Sequence, residues 1–151
     1  MYCEVRVKRT CITDGNAYGT LKESYLVNAV SHTDAEASVA RYMETVYPGA
    51  EYSVQRISKS RVEDYVQAFL GDGEKKPEAY YKVRCVYVED IDGHAKKRKV
   101  MALVNASDVE KAASLALSSY DPDGSLKYEV VKVEKTSIVD VINTSGEELR
   151  S

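Results

Sequence analysis

Two arginines, each standing four residues after a tyrosine, are the side chains of this sequence best suited to binding. Tyr2 precedes Arg6, and Tyr80 precedes Arg84, with a valine directly before each arginine. A guanidinium binds a carboxylate or a phosphate through two hydrogen bonds, and a tyrosine ring can stack on a base. These four residues predict a binding site for an anionic, nucleotide-like ligand. The open alternative is that each arginine pairs with a glutamate close to it in the chain.

The run Lys96, Lys97, Arg98 and Lys99 is a second candidate. The positive charge of these side chains could attract phosphate groups or an acidic protein surface. The alternative is a solvated sheet edge, where lysines discourage pairing with another strand. The whole chain has a net charge of −3, which disfavours a general nucleic-acid binder, because such proteins need an excess of Lys and Arg. Nucleic acid therefore ranks as the weakest of three candidate partners.

Residues that could carry out catalysis or bind a metal form no cluster in the sequence. His32 and His94 are the two histidines, and the three cysteines lack CxxC spacing, so neither a nucleophile system nor a zinc site is indicated. Asp90-x-Asp92 begins like a calcium loop, but the twelfth position is Met101, which cannot supply the required oxygen ligands. We predict no catalytic residues, no cofactor and no metal.

The elements that position these residues occur twice, because the chain repeats itself. Leu26-Val27-Asn28-Ala29 recurs as Leu103-Val104-Asn105-Ala106 at an offset of 77. At an offset of 76, Tyr52, Val54, Lys59 and Asp64 recur as Tyr128, Val130, Lys135 and Asp140. A small drift of the offset, confined to loops, is typical of two copies of one supersecondary unit.

Strands are predicted from alternating apolar residues. Cys3, Val5 and Val7 alternate with polar residues over 2–9, which indicates a strand with one buried face. Turn residues and a second strand over 22–30 complete a β-hairpin. The second copy repeats this hairpin over 80–89 and 99–106.

Helices are predicted after each hairpin. Thr33 and Ser107 each stand three residues before a glutamate, a spacing that indicates a capping box. Pro48 and Pro122 should end the two helices. Third strands follow over 51–59 and 126–135. The segments 61–70 and 136–142 are predicted to be short and extended, with a short helix as the open alternative.

The sequence therefore predicts an α+β fold formed by internal tandem duplication of a ββαβ unit, with antiparallel sheets that each have one helix packed on one face. The predicted boundaries are 1–66 for the first repeat, 67–79 for a linker, 80–142 for the second repeat and 143–151 for a tail, all within one compact domain. The 151 residues include neither a signal peptide nor a membrane span, so we expect a cytoplasmic protein without membrane contact.

Three segments carry a resemblance to a known family. They are Tyr25-Leu26-Val27-Asn28-Ala29-Val30-Ser31-x-Thr33-Asp34-Ala35-Glu36-Ala37, Tyr80-Tyr81-Lys82-Val83 and Ile138-Val139-Asp140-Val141. In order and spacing they resemble an uncharacterised domain-of-unknown-function family of Bacteroides-type bacteria and their phages, over 2–142. The resemblance implies a small intracellular protein of phage or mobile-element origin, and it supplies no catalytic or binding residues.

These observations predict a non-catalytic binding protein, assembled as a homo-oligomer, that holds or sequesters a nucleotide-like small molecule. The alternative is an adaptor that binds a host or phage protein through a sheet face or an edge strand. Weak nucleic-acid binding through Lys96 to Lys99 is the third hypothesis.

Overall fold

The structure is a computed structural model that describes residues 1–143, so most of the predicted tail lies outside the described residues. Its elements follow in the order ββαββ, which then recurs. They are β1 (Tyr2–Ile12), β2 (Tyr18–Asn28), α1 (His32–Val46), β3 (Tyr52–Lys59), β4 (Asp64–Gln67), β5 (Ala79–Ile91), β6 (His94–Ala106), α2 (Val109–Tyr120), β7 (Glu129–Lys135) and β8 (Ile138–Ile142). The predicted α+β class is confirmed. Within the described residues, neither helix is long and apolar enough to cross a membrane.

The strands form two four-stranded sheets. Sheet 1 has the order β3-β1-β2-β8, and sheet 2 has the order β4-β6-β5-β7. The hairpins and the third strands pair antiparallel, but β8 runs parallel to β2 and β4 runs parallel to β6. The prediction of antiparallel sheets was therefore wrong at one edge of each sheet. A strand that turns back to pair with the strand before it, as β4 would beside β3 or β8 beside β7, is antiparallel to that strand. Instead, β4 pairs with β6 and β8 pairs with β2, each in the other sheet.

The last strand of each half belongs to the sheet of the other half. Residues 1–61 with 137–143 form one compact unit, and residues 62–136 form the second. The chain passes from one unit to the other between β3 and β4 and again between β7 and β8. Both of the segments predicted to be extended do contain a strand, so the helical alternative is excluded for them.

Each unit has a core between its sheet and its helix. Cys3, Val5 and Val7 are fully buried in the first unit, as their alternation predicted, and they pack with Val39 and Met43 of α1. The second unit places Tyr81, Val83 and Cys85 against Ala112 and Ala116 of α2. Burying a side chain such as Val contributes about 1.5–3 kcal/mol, so the face that each sheet presents to its helix contributes strongly to stability.

The helix caps differ from those predicted. Ser31 caps α1, and its Oγ accepts a hydrogen bond from the Asp34 amide at 3.1 Å. Asp108 caps α2 and accepts from the Lys111 amide at 2.7 Å. Thr33 therefore lies inside the first turn.

The residues next to the predicted caps explain why Ser31 and Asp108 cap the helices instead. Asp34 reaches back to accept from the Val30 amide at 3.0 Å, the role that the sequence suggested for Glu36. In the second copy Asp108 supplies a stronger acceptor than Ser107. The helices end at Val46 and Tyr120, shortly before the two prolines, as predicted.

Candidate anion-binding face

One face of sheet 1 carries exposed basic side chains near the middle of β1. Alternate residues of a strand lie on opposite faces, and Cys3, Val5 and Val7 face α1. Glu4, Arg6 and their neighbours in register consequently lie on the face opposite α1, which we call the distal face. This face carries the first of the sequence-predicted arginines.

Arg6 lies at the centre of a small cluster of polar residues. It is opposite Ser24 on β2 and opposite Arg56 on β3. Both arginines are exposed. Together with Glu4, Ser24 and Ser58 they line a depression of about 260 Å³. The structure thus places a second guanidinium beside Arg6.

A β-bulge sets this register. Arg6 pairs with Arg56 and the next residue, Val7, pairs with Val54, so Gln55 is left as the extra residue. A bulge bends the strand and changes the direction of nearby side chains, and bulges are common beside functional sites. Sheet 2 has the same irregularity directly after Arg84, so the feature recurs at the matched position.

The electrostatics of the Arg6–Arg56 pair are unfavourable without an anion. Like charges directly opposite each other across two strands destabilise a sheet, by up to about 1 kcal/mol. Among residues 1–143, neither guanidinium has a hydrogen-bond or ion-pair partner. Each guanidinium has five N–H donors in a planar arrangement, so the pair can bind an anion with several hydrogen bonds.

The matched position in sheet 2 has different surroundings. Arg84 is half-buried and lies opposite Met101 and Lys132. The Lys132 Nζ is 3.8 Å from Glu134 Oε2, and Glu134 occupies the place that Ser58 has in sheet 1. A carboxylate of the chain itself therefore lies beside the basic pair of sheet 2.

The two tyrosines of the predicted site, Tyr2 and Tyr80, are poorly placed to stack on a ligand held by the arginines. Tyr2 is half-buried at the start of β1, and four residues along a strand separate it from Arg6 by about 14 Å. The Tyr80 ring is only 1% exposed, and its centroid is 6.3 Å from that of Tyr65. The Tyr80 side chain is thus buried and offers no open stacking surface.

Arg56 is the residue of this cluster that the sequence reasoning missed. It has a basic counterpart, Lys132, at the same offset of 76 that relates Tyr52 to Tyr128. That recurrence of a basic residue was the available signal. Its position opposite Arg6 depends on the bulge at Gln55 and could not be read from the sequence.

The basic run does not form one patch in the structure. It lies within β6, so its side chains alternate between the two faces of the β5–β6 hairpin. Arg98 Nε donates to Glu89 Oε2 at 2.8 Å, and this interaction raises the Arg98 pKa. Lys96 lies opposite Glu89, whereas Lys97 lies opposite Val88. All four remain exposed, but their charges are divided between two faces.

A second recurrent feature is a tyrosine on each helix that binds an aspartate on the exchanged strand. The Tyr42 hydroxyl donates to Asp140 Oδ2 at 2.6 Å in the first unit. The Tyr120 hydroxyl donates to Asp64 Oδ2 at 2.6 Å in the second unit. Burial, and then the hydrogen bond to the carboxylate, raise the pKa of both tyrosines far above the ordinary value. Both phenols stay protonated at neutral pH, so these pairs attach β8 to α1 and β4 to α2.

No group of three or more His, Cys, Asp or Glu side chains within the described part of the chain is arranged to hold a metal ion. The protein is thus an α+β protein of two units, each a mixed four-stranded sheet with one helix on one face. The chain belongs to the family described as Domain of unknown function (DUF4494), whose model matches residues 1–144. No curated protein and no solved structure matches the chain.

Proposed function

We propose that the protein is a non-catalytic binding protein that holds an anionic, nucleotide-like ligand on the distal face of sheet 1. The observation that supports the proposal is the exposed Arg6–Arg56 pair, which lies above a polar depression and has no acceptor among the described residues. A phosphate between the two guanidiniums would replace their repulsion by charge-assisted hydrogen bonds.

The neighbouring side chains favour recognition of an anion. Ser24 and Ser58 border the arginine pair, and a hydroxyl can donate to a phosphate oxygen. Among the described residues, Glu4 is the one carboxylate that lines the depression. The lining residues include no histidine and no cysteine, so they suit binding better than nucleophilic chemistry.

The origin of the protein forms part of the same proposal. The recurring ββαββ order and the bulges after Arg6 and Arg84 support a tandem duplication of the ββαβ unit. The phage or mobile-element origin rests on the sequence resemblance. In a phage, an intracellular protein of this kind would sequester a nucleotide signal of its host.

Isothermal titration calorimetry with inorganic phosphate, AMP and cyclic AMP tests the proposal. We expect at least one nucleotide to bind, and Arg6→Ala and Arg56→Ala each to weaken it about tenfold or more, because a hydrogen bond to a charged group contributes about 1.5–3 kcal/mol. The control is Arg98→Ala, which also removes an exposed guanidinium and should change little. Arg84→Ala tests whether the matched position of sheet 2 takes part.

The proposal would be refuted if no nucleotide bound, or if Arg98→Ala weakened binding as much as Arg6→Ala. In the second case, general charge attraction would explain the affinity.

An adaptor function is the second candidate, and the edge strands favour it. Among the strands of residues 1–143, β3 and β7 each pair with one neighbour only, so either could accept a strand from a host or phage protein. A pull-down from host lysate that retains one protein in stoichiometric amount would support this function. Nucleic-acid binding through Lys96 to Lys99 stays the third hypothesis, and a gel shift measured at low and physiological salt tests it.

A further inference from the structure

Two lysines extend the basic surface along the distal face of sheet 1. Lys8 is the next distal residue of β1 after Arg6, and it lies opposite Lys22 on β2. Both lysines are exposed. Within the described residues neither has a hydrogen-bond or ion-pair partner. A second pair of like charges therefore follows directly after the arginine pair.

Hydroxyl groups lie close to Lys8, the member of this pair on β1. Lys8 lines a separate depression of about 270 Å³, together with Thr10, Thr20 and Ser53. Arg9, Glu51 and Tyr52 line the same depression, so among the described residues it contains one carboxylate besides the two basic side chains. Lysine ammonium groups and hydroxyls are donors suited to phosphate oxygens.

The two basic pairs lie on different sides of β1. Arg56 is on β3, whereas Lys22 is on β2, the neighbour on the other side. Two residues along a strand span about 6.8 Å, and adjacent strands are about 4.8 Å apart. The centres of the two pairs are consequently separated diagonally by about 8 Å, which exceeds the span of one phosphate group.

We infer that the ligand carries two separate phosphate groups, as a dinucleotide does, with one phosphate at the Arg6–Arg56 pair and the other at the Lys8–Lys22 pair. This inference rests on the proposed function and adds the class of ligand to it. The diagonal arrangement requires the ligand to cross β1, with its linking sugar between the two pairs. A mononucleotide fills the first position alone.

Calorimetry with AMP, which has one phosphate, and with a 5′-phosphorylated adenosine dinucleotide, which has two, tests this inference. We expect the dinucleotide to bind about tenfold more tightly or better, since one additional charge-assisted hydrogen bond contributes about 1.5 kcal/mol or more. The double variant Lys8→Ala/Lys22→Ala should lower dinucleotide affinity to that of AMP and leave AMP binding unchanged. Lys97→Ala/Lys99→Ala removes the same number of exposed charges and should preserve the preference.

Salt dependence supplies a second readout that a merely structural effect would not change. Salt screens the attraction between a lysine and a phosphate, so each such contact makes the affinity more sensitive to salt. Loss of both lysines should therefore make the affinity for the dinucleotide less dependent on salt, and Lys97→Ala/Lys99→Ala should not. All four substituted side chains are exposed, and circular dichroism verifies that each variant is folded.

The results separate this inference from the proposed function. Equal affinity for AMP and the dinucleotide, or a preference that survives loss of both lysines, would overturn the inference. The proposed function would still hold in that case, provided that AMP binding stayed sensitive to Arg6→Ala. Failure of both ligands to bind the wild-type protein would overturn the two together.

Discussion

Replacing Tyr42 by Phe should destabilise the first unit measurably, although it removes a single oxygen atom. The Tyr42 hydroxyl donates to Asp140 Oδ2 at 2.6 Å, and the two residues are 5% and 9% exposed. The substitution keeps the ring, whose centroid is 5.1 Å from that of Tyr25. The loss is thus confined to the hydrogen bond between α1 and β8.

The expected loss in the free energy of unfolding follows from the hydrogen bonds of Asp140. A hydrogen bond to a charged group contributes about 1.5–3 kcal/mol, and a buried carboxylate that loses a donor bears a desolvation penalty. Asp140 is still hydrogen-bonded after the substitution, because its Oδ1 accepts from the Val141 amide at 2.8 Å. We therefore expect a loss of about 2 kcal/mol in the free energy of unfolding.

Urea unfolding at pH 7, followed by circular dichroism, measures this loss. Tyr47→Phe is a matched control, because the Tyr47 ring centroid is 6.5 Å from that of Tyr42 and its hydroxyl has no hydrogen-bond partner among the described residues. The control should cost less than about 0.5 kcal/mol. Equal destabilisation by the two substitutions would refute the reasoning, since it would show that the Tyr42 hydroxyl bond contributes nothing specific.

Three further predictions concern stability. Burial raises the pKa of Tyr25 and Tyr42 far above the ordinary value for tyrosine, which is about 10, so above pH 10 the unfolded chain loses protons that the folded chain keeps; stability should fall as the pH rises from about 10 to about 11, and urea midpoints over this range measure the fall. Ser31→Ala should cost about 1 kcal/mol and Thr33→Ala less than about 0.5 kcal/mol in thermal unfolding, because Ser31 is the N-cap; the reverse order would contradict the observed cap. A chain ending at Thr136 lacks β8 and leaves β2 at the edge of sheet 1, so hydrogen exchange should accelerate in β2 more than in β1, which keeps both neighbours.

The sequence was sufficient to predict the local structure of each half. Alternation of Cys3, Val5 and Val7 identified the buried face, because the period of a strand decides which side chains share a side. Pro48 and Pro122 marked the helix ends, since a proline removes a donor that the helix needs. The caps were misassigned because Ser31 and Thr33 are both possible acceptors, and only the backbone geometry separates them.

The sequence was not sufficient to predict which sheet each last strand would join. Alternation of apolar residues in β4 or β8 indicates which face of the strand is buried. It does not indicate which strand lies beside it. Asp64 and Asp140 were visible as a recurring pair, yet their helix partners Tyr42 and Tyr120 do not share that offset. The exchange of strands depends on pairing between residues that are far apart in the chain, so local sequence patterns did not predict it.

The candidate site was predicted in part. Arg6 was identified from its recurrence, whereas Arg56 joins it through a bulge that local patterns do not indicate. The predicted strand over 99–106 left Lys96, Lys97 and Arg98 outside β6. The strand begins at His94 instead, and alternation then divides the run between two faces.

Titration of the protein with AMP, followed by the NMR signals of arginine side-chain Nε–Hε groups, tests the central claim most directly. Binding on the distal face of sheet 1 predicts that the largest shifts occur at Arg6 and Arg56, while Arg98, which is paired with Glu89, stays nearly unchanged. Shifts centred on Arg98 and its neighbouring lysines, with Arg6 and Arg56 unaffected, would contradict the account.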